Sequence, residues 1–209
     1  MCSTHAPTER RLSLAMKEGS AAEHVAAEQS PFMSELLAGR VTAEGYSDYL
    51  LRLRMVYAAL EAAIRARRTD PMVAAVYDPA LERLTAIDAD LKHWLPDASR
   101  EVNSPAAVAY HERVSALAWG GSLVAHHYTR YLGDLSGGRA IGKILDRTFG
   151  LCGAGLAFYE FPMRAKPYKD AYRARLDALS PDADDIDRIV DEVKLAFGLN
   201  HALLDELAS

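Results

Sequence analysis

The chain has 209 residues, of which 50% are hydrophobic and 25% charged, and its formal net charge is -5 at pH 7. This composition is typical of a globular protein with one hydrophobic core, and it excludes an intrinsically disordered chain. An acidic chain lacks the basic electrostatic field that binding to nucleic acids or anionic membranes requires. Any anionic ligand must therefore be held by locally placed Lys and Arg.

Cysteine content and hydropathy indicate in which cellular compartment the protein is expected. Two cysteines, Cys2 and Cys152, give neither a disulfide framework nor a paired metal site. The N-terminus lacks the apolar stretch of a signal peptide, and no apolar run approaches the roughly 20 residues of a membrane helix. We therefore expect a cytoplasmic protein with no membrane segment. Residues 1–10 are predicted to be a disordered N-terminus and residues 11–209 a single domain.

Signals for helix starts recur along the chain. A Ser or Asp followed by Pro joins a good N-cap to the residue best suited to the first helical position. Such pairs stand at Ser30-Pro31, Asp70-Pro71, Asp78-Pro79, Ser104-Pro105 and Ser180-Pro181. Each pair predicts a helix start.

Apolar residues repeat at helical spacing between these signals. One stripe over residues 46–64 predicts a long helix opened by Thr42, and similar stripes cover residues 84–94 and 186–207. No segment alternates as a half-buried strand would. We predict an all-α fold, a single-domain helical bundle of about seven to nine helices.

Residues 122–150 depart from good helix design. Both ends of this segment are typical of helix, and Gly150 is a plausible C-terminal stop. The internal glycines are Gly133, Gly137, Gly138 and Gly142. Each costs a helix about 1 kcal/mol relative to alanine. The pattern allows a loop or close helix packing, or a kinked helix whose bare backbone lies against a large flat ligand. Asp134, among these glycines, would be a costly buried carboxylate unless it is solvated or hydrogen-bonded.

Two further groups of residues are ambiguous when taken alone. His24 and Glu28, four residues apart, share a helix face among small alanines. Such a histidine is most often an ordinary surface or core residue, but imidazole is also the usual protein ligand of heme iron. The second group is a basic and aromatic segment, which is more typical of a solvated helix face. Its residues are Lys166, Tyr168, Lys169, Tyr172 and Arg173.

Together these segments resemble the heme (haem) oxygenase family. HHYTRYLGDLSGG is similar to the family's distal-helix signature, and KEGSAAEHVAAEQSPFM to its proximal-helix segment. GLAFYEFP, YKDAYRARLDAL and AFGLNHALLDEL resemble later segments in the right order. The resemblance runs from about Leu12 to Leu207. It implies a catalytic domain over residues 11–209, of the soluble bacterial type, with heme between a proximal and a kinked distal helix.

The resemblance also implies roles for the residues that face the heme iron. His24 matches the axial ligand of the iron, and Glu28 the residue that supports this histidine. Asp134 matches the carboxylate that organises distal water. The glycines matched to the distal side are Gly133, Gly137 and Gly138. His127 follows His126 as in bacterial relatives, and neither is assigned to iron.

A second set of matched residues lies further from the iron. Lys17, Lys169 and Arg173 match basic residues that pair with the heme propionates, and Tyr128 matches a tyrosine at the same edge. Residues matched to the distal network and pocket wall are Tyr57, Arg130, Phe197 and Asn200.

The resemblance implies that heme b is both substrate and cofactor. Dioxygen and external electrons would convert it to biliverdin, carbon monoxide and Fe²⁺, with cleavage expected at the α-meso carbon (the IXα isomer). A ferredoxin or a flavoprotein reductase is the implied electron donor, and a monomer is expected. Two alternatives stay open. One is a non-catalytic heme-binding carrier or sensor on the same fold. The other is a thiaminase-like hydrolase, for which the core lacks the expected catalytic cysteine.

Overall fold

The computed structural model describes residues 10–97 and 99–208, and over these residues the protein is all-helical, as predicted. The α-helices are α1 (Leu12–Gly19), α2 (Ala21–Glu28), α3 (Pro31–Leu37), α4 (Ala43–Ala66), α5 (Pro71–Val76), α6 (Leu84–Trp94), α7 (Pro105–Ser115), α8 (Gly120–Phe149), α9 (Ala165–Asp177) and α10 (Ala183–Glu206). Short 3-10 helices cover Pro79–Leu81 and Ala157–Tyr159. The α-helices number ten in the described chain, above the predicted seven to nine, because the bundle includes elements as short as the six residues of α5.

The N-terminal prediction lies almost wholly outside the described residues. This applies to residues 1–9, Cys2 among them. Arg10 is described, and its guanidinium pairs with Asp187 of α10. Cys152 is exposed in the turn after α8, with a positive φ of 51°. No helix in the described part of the chain is long and apolar enough to cross a membrane.

Most of the predicted helix starts are confirmed. Ser30, Asp70 and Ser104 accept hydrogen bonds from backbone N–H groups in the first turns of α3, α5 and α7. Thr42 caps α4 in the same way, through the N–H of Gly45 at 3.0 Å. Asp78 caps the 3-10 helix Pro79–Leu81.

The predicted start at Ser180-Pro181 is wrong. Helix α10 begins at Ala183, and the Asp182 carboxylate caps it by accepting the N–H of Asp185 at 2.8 Å. Ser180 has a φ of 44° and lies in the preceding turn. A charged carboxylate is a stronger acceptor for the unpaired N–H groups of a first turn than a serine hydroxyl.

Helix α8 is the central element of the bundle. It packs against α3, α4, α5, α9 and α10, and all of its residues from Gly120 to Leu132 are buried. The predicted stripe of α4 is buried as well, with Tyr46, Leu50 and Tyr57 each at 0% exposure. Both long helices contribute residues to the core and to the wall of the cavity described below.

The structure separates the two interpretations of the glycine segment. Helix α8 runs without interruption from Gly120 to Phe149 and ends at Gly150 in the left-handed conformation, at φ 64° and ψ 39°. The loop interpretation is therefore wrong. Close packing explains Gly138 and Gly142, because a Cβ there would lie 3.1 Å and 3.2 Å from Tyr159. At Gly133 and Gly137 a Cβ would meet nothing within 4 Å.

His126 and His127 are directed into the protein core. His126 is fully buried and its Nε2 lies 2.9 Å from Oε1 of Glu192 on α10. His127 stacks on Tyr172 of α9, and its Nδ1 lies 2.8 Å from the Tyr172 hydroxyl. Burial lowers the pKa of His127 to about 3, so this imidazole is neutral at physiological pH. Both histidines hold helices together.

Candidate functional site

A cavity of about 460 Å³ opens between the N-terminal helices and the central helix α8. Helix α2 contributes His24 and Glu28 to its wall, whereas α8 contributes Gly133, Asp134 and Gly137. The other site residues predicted from the sequence that line it are Lys17, Tyr128, Arg130, Gly138, Arg173, Phe197 and Asn200. Residues scattered over most of the sequence thus meet around one space.

Two of the predicted residues do not line this cavity. Tyr57 lies behind the cavity wall. The Tyr57 hydroxyl donates a hydrogen bond to Asp134, which does line the cavity. Lys169 lies at the rim, where its Nζ donates to the hydroxyl of the cavity residue Ser136 at 2.8 Å. A propionate contact from Lys169 would require this side chain to leave Ser136.

His24 presents an uncommitted imidazole to the cavity. Its side chain is 53% exposed, and its Nδ1 lies 3.7 Å from Oε2 of Glu28, beyond direct hydrogen-bond distance. The ring of Phe197 packs edge-on against it with centroids 5.7 Å apart. Nε2 has no hydrogen-bond partner among the described residues, so this nitrogen is free to coordinate a metal.

The α8 wall is bare backbone at Gly133 and Gly137. Because a Cβ at Gly133 or Gly137 would enter open space, these glycines are not required for packing within the protein. Their absent side chains leave a flat surface that a planar ligand can approach closely. An imidazole on α2 and a glycine surface on α8 fit a planar metal complex such as heme.

Asp134 stands in a nearly buried polar network beside these glycines. Its side chain is 11% exposed, and its Oδ1 lies 3.9 Å from Nη2 of Arg130. Arg130 in turn donates from Nη1 to Oδ1 of Asn200 at 2.5 Å and from Nε to the Tyr57 hydroxyl at 3.3 Å. Burial raises the pKa of Asp134, while the charge of Arg130 and the hydrogen bond from Tyr57 act in the opposite direction. The network fixes one carboxylate at the edge of the cavity.

Cations gather at the rim of the cavity although the chain as a whole is acidic. Lys17 and Arg173 line the rim, and Lys169 lies one helical turn before Arg173 on α9. Arg173 also pairs with exposed Asp170 at 3.4 Å. Tyr128 is nearby, and burial raises its pKa while the charge of Arg173 opposes that rise. Such a cluster can hold the carboxylates of a ligand whose apolar part lies inside the cavity.

The sequence interpretation missed several cavity residues. Met33, Tyr49, Ile141 and Leu204 line the cavity but look like ordinary core positions in the sequence. Only Tyr49 could have been identified from the sequence. Tyr49, Leu53 and Tyr57 are spaced four residues apart, so Tyr49 lies on the same side of α4 as Tyr57, which is matched to the distal network. Which side of a helix faces a cavity and which faces the core depends on the neighbouring helices.

Comparisons with known proteins identify relatives along nearly the whole chain. The family model "Heme oxygenase" matches residues 10–206. Heme oxygenase 1 of Homo sapiens is 38% identical over 205 residues, covering 94% of this chain and 71% of that protein. Heme oxygenase 2 of Synechocystis is 35% identical over 202 residues, covering 92% of this chain and 81% of that protein.

Solved structures give the same result. Heme oxygenase-1 from Synechocystis in complex with heme superposes with a TM-score of 0.89 at 36% identity, covering 95% of this chain and 92% of that one. Heme oxygenase from Leptospira interrogans gives a TM-score of 0.89 at 31% identity, covering 94% of this chain and 100% of that one.

Proposed function

The chain belongs to the heme oxygenase family, and from this premise we propose that it cleaves heme oxidatively to biliverdin, carbon monoxide and Fe²⁺. The observation that carries the proposal is the pairing of the two cavity walls. One wall offers a single free imidazole, and the other offers bare glycine backbone beside the buried carboxylate of Asp134. Heme would be both substrate and cofactor, with dioxygen and external electrons as co-reactants.

His24 would hold the heme through its iron. Bound heme supplies the metal that activates dioxygen and the ring carbon that is oxidised. A neutral histidine donates less electron density to an iron than a thiolate does. A thiolate ligand favours cleavage of the O–O bond, and this would oppose attack on the ring. Glu28, at 3.7 Å from Nδ1 of His24, is close enough to orient the imidazole through a bridging water. With the iron held from α2, the residues of α8 would line the space available to dioxygen.

Asp134 would organise water and deliver protons on that side. The hydrogen bond from Tyr57 fixes the orientation of the carboxylate, and Arg130 stabilises its charged form. A fixed carboxylate can hold a water and pass a proton to an oxygen atom bound in the cavity. The glycines at 133 and 137 leave room for that oxygen while restricting its direction.

The cations of the rim would orient the heme. Heme carries two propionates, and a protein of net charge -5 does not attract them over long distances. Contacts from Lys17, Arg173 and a rearranged Lys169 would contribute roughly 1.5–3 kcal/mol each if shielded and less if exposed. Because these contacts fix the rotation of the heme in its plane, they support cleavage at the α-meso carbon and formation of biliverdin IXα.

The remaining parts of the proposal concern the surroundings of the reaction. A ferredoxin or a flavoprotein reductase would supply electrons, and the protein would act as a monomer. The cysteine content supports a cytoplasmic location, in which free thiols stay reduced.

One experiment separates this function from that of a heme carrier or sensor. The purified protein is loaded with heme and its absorption spectrum is followed in air after addition of a reductant. An oxygenase loses the Soret band as biliverdin appears, and chromatography identifies the isomer. A carrier keeps its heme spectrum. A carrier would need His24 but has no use for the buried Asp134 network, and this is why the structure favours the enzyme.

A further inference from the structure

Tyr49 borders the cavity from α4, the helix that also carries Tyr57. Its ring is held by aromatic neighbours on the side away from the cavity. The centroid of Phe32 lies 5.2 Å away and that of Tyr46 lies 6.5 Å away. With only 8% of the residue exposed, the ring is fixed in position. A fixed ring holds its hydroxyl in a fixed place.

Tyr49 lines the same cavity as Asp134, Arg130 and Asn200. Burial raises the pKa of Tyr49, and the charge of Arg130 opposes that rise while the charge of Asp134 adds to it. The phenol therefore stays protonated at neutral pH and keeps an O–H to donate. Tyr49 donates to no acceptor among the described residues.

The Tyr57 hydroxyl and the Arg130 guanidinium on this part of the wall already donate to other groups. The Tyr57 hydroxyl donates to Asp134, and Arg130 donates to Tyr57 and Asn200. The Asp134 carboxylate can only accept when it is ionised. A water or bound oxygen atom next to Asp134 would donate to the carboxylate and would still need a donor of its own.

We propose that Tyr49 is a positioning residue of the distal side, whose hydroxyl donates a hydrogen bond to the oxygen atom held beside Asp134. The position of Arg130 strengthens this role, because a phenol oxygen near a guanidinium is polarised and its O–H becomes a better donor. The oxygen atom is thereby fixed from two sides, by the acceptor Asp134 and the donor Tyr49. This inference rests on the proposed function, since it requires heme in the cavity.

The test compares Tyr49→Phe with Tyr46→Phe in the heme-loaded protein. Both substitutions remove one phenolic oxygen from α4 and keep the ring, but Tyr46 is fully buried and does not border the cavity. The acid–alkaline transition of the ferric heme complex is titrated by visible spectroscopy. The carbon–oxygen stretching frequency of the ferrous carbon monoxide complex is measured by infrared spectroscopy.

Tyr49→Phe is expected to raise the pKa of the transition by about 0.5 to 1 unit, the equivalent of one neutral hydrogen bond that favours the deprotonated form. It should also raise the stretching frequency, because a donor to the bound ligand is lost. Tyr46→Phe should change neither quantity. If both variants behave like the wild type, Tyr49 donates no such bond and the inference is overturned. A wild-type protein that binds no heme, or binds it without cleaving it, would instead contradict the proposed function.

Discussion

The Tyr57 hydroxyl on α4 donates a hydrogen bond to the Asp134 carboxylate on α8, and this contact joins two of the three longest helices at the edge of the cavity. Arg130, one turn before Asp134, lies 3.9 Å from the same carboxylate. A buried carboxylate is tolerated only with such partners. The Asp134 carboxylate is therefore held in a fixed position on the α8 wall, next to Gly133.

Replacing Asp134 with Asn is expected to reduce biliverdin formation by roughly 100-fold, at the low end of what a positioned acid or base contributes. The amide keeps the size of the side chain but cannot pass a proton. Single-turnover absorption spectra should show heme consumed without a matching yield of biliverdin. Asp146→Asn is the matched control, because Asp146 lies on the same helix and accepts the N–H of Gly153 at 2.9 Å, away from His24. A normal yield from the Asp134 variant would exclude the proton-delivery role.

Replacing His24 with Ala should remove the five-coordinate heme spectrum of the ferrous protein and weaken heme binding by at least tenfold, because the metal–nitrogen bond is lost. Added imidazole should restore the spectrum by occupying the space left by the side chain. His111→Ala, an exposed histidine on α7, serves as the control. If the His24 variant keeps its metal–imidazole signature without added imidazole, another residue is the ligand.

Alanine substitutions should divide the α8 glycines into two groups. Gly133→Ala is expected to stabilise the heme-free protein by up to about 1 kcal/mol, since alanine is the better helix former and its Cβ meets open space. The same Cβ should obstruct the heme and weaken its binding. Gly142→Ala should destabilise the heme-free protein, because its Cβ would lie 3.2 Å from Tyr159.

Thermal unfolding of the heme-free variants and heme titration measure these two effects separately. Equal heme affinity in Gly133→Ala and the wild type would show that this backbone does not lie against the heme.

Replacing Arg173 with Ala should weaken heme binding by roughly 3- to 10-fold, the equivalent of about 0.7–1.4 kcal/mol for a partly exposed ion pair. The biliverdin isomers should also become more mixed, because the heme is less firmly oriented. Lys17→Ala is expected to act in the same direction. Lys166→Ala is the control on the same helix as Arg173, since Lys166 is 89% exposed and pairs with Asp170. Chromatography that gives mainly the β or δ isomer from the wild type would contradict the orientation that we propose.

The pairing of Glu192 with His126 and Arg113 predicts a pH dependence of stability. Burial alone would raise the pKa of Glu192, but the hydrogen bonds from His126 and Arg113 outweigh it and lower that pKa from 4.5 to about 2. The folded protein therefore binds protons less readily at this site than the unfolded chain does. The stabilisation is fully present above about pH 4.5 and is lost as the pH falls toward 2.

Glu192→Gln should lower the free energy of unfolding at pH 7 by about 1–2 kcal/mol, because Arg113 is 41% exposed and its ion pair is partly screened by solvent, and should flatten the pH dependence between pH 4.5 and 2. Urea unfolding across this range measures both effects. Asp191→Asn, at an exposed neighbouring position that pairs with Lys194 at 3.1 Å, should keep the wild-type profile. A steep acid transition that persists in Glu192→Gln would assign the pH dependence to other carboxylates.

The sequence by itself determined the helices and 12 of the 25 described residues that line the cavity. Periodicity and N-caps are local properties, so α4 with its Thr42 cap could be predicted without knowledge of any neighbouring element. The glycine-rich segment was recognisable because its residue types disfavour a helix, whereas His24 was assigned only through the resemblance to the heme oxygenase family.

Only the tertiary structure decided what each of these residues contacts. It showed that Gly138 and Gly142 accommodate Tyr159, whereas Gly133 and Gly137 face the cavity. It also turned Lys169 toward Ser136 and brought Tyr49 to the cavity wall. These distinctions depend on contacts between residues far apart in the chain, and such contacts form only when α8 is packed among its neighbours.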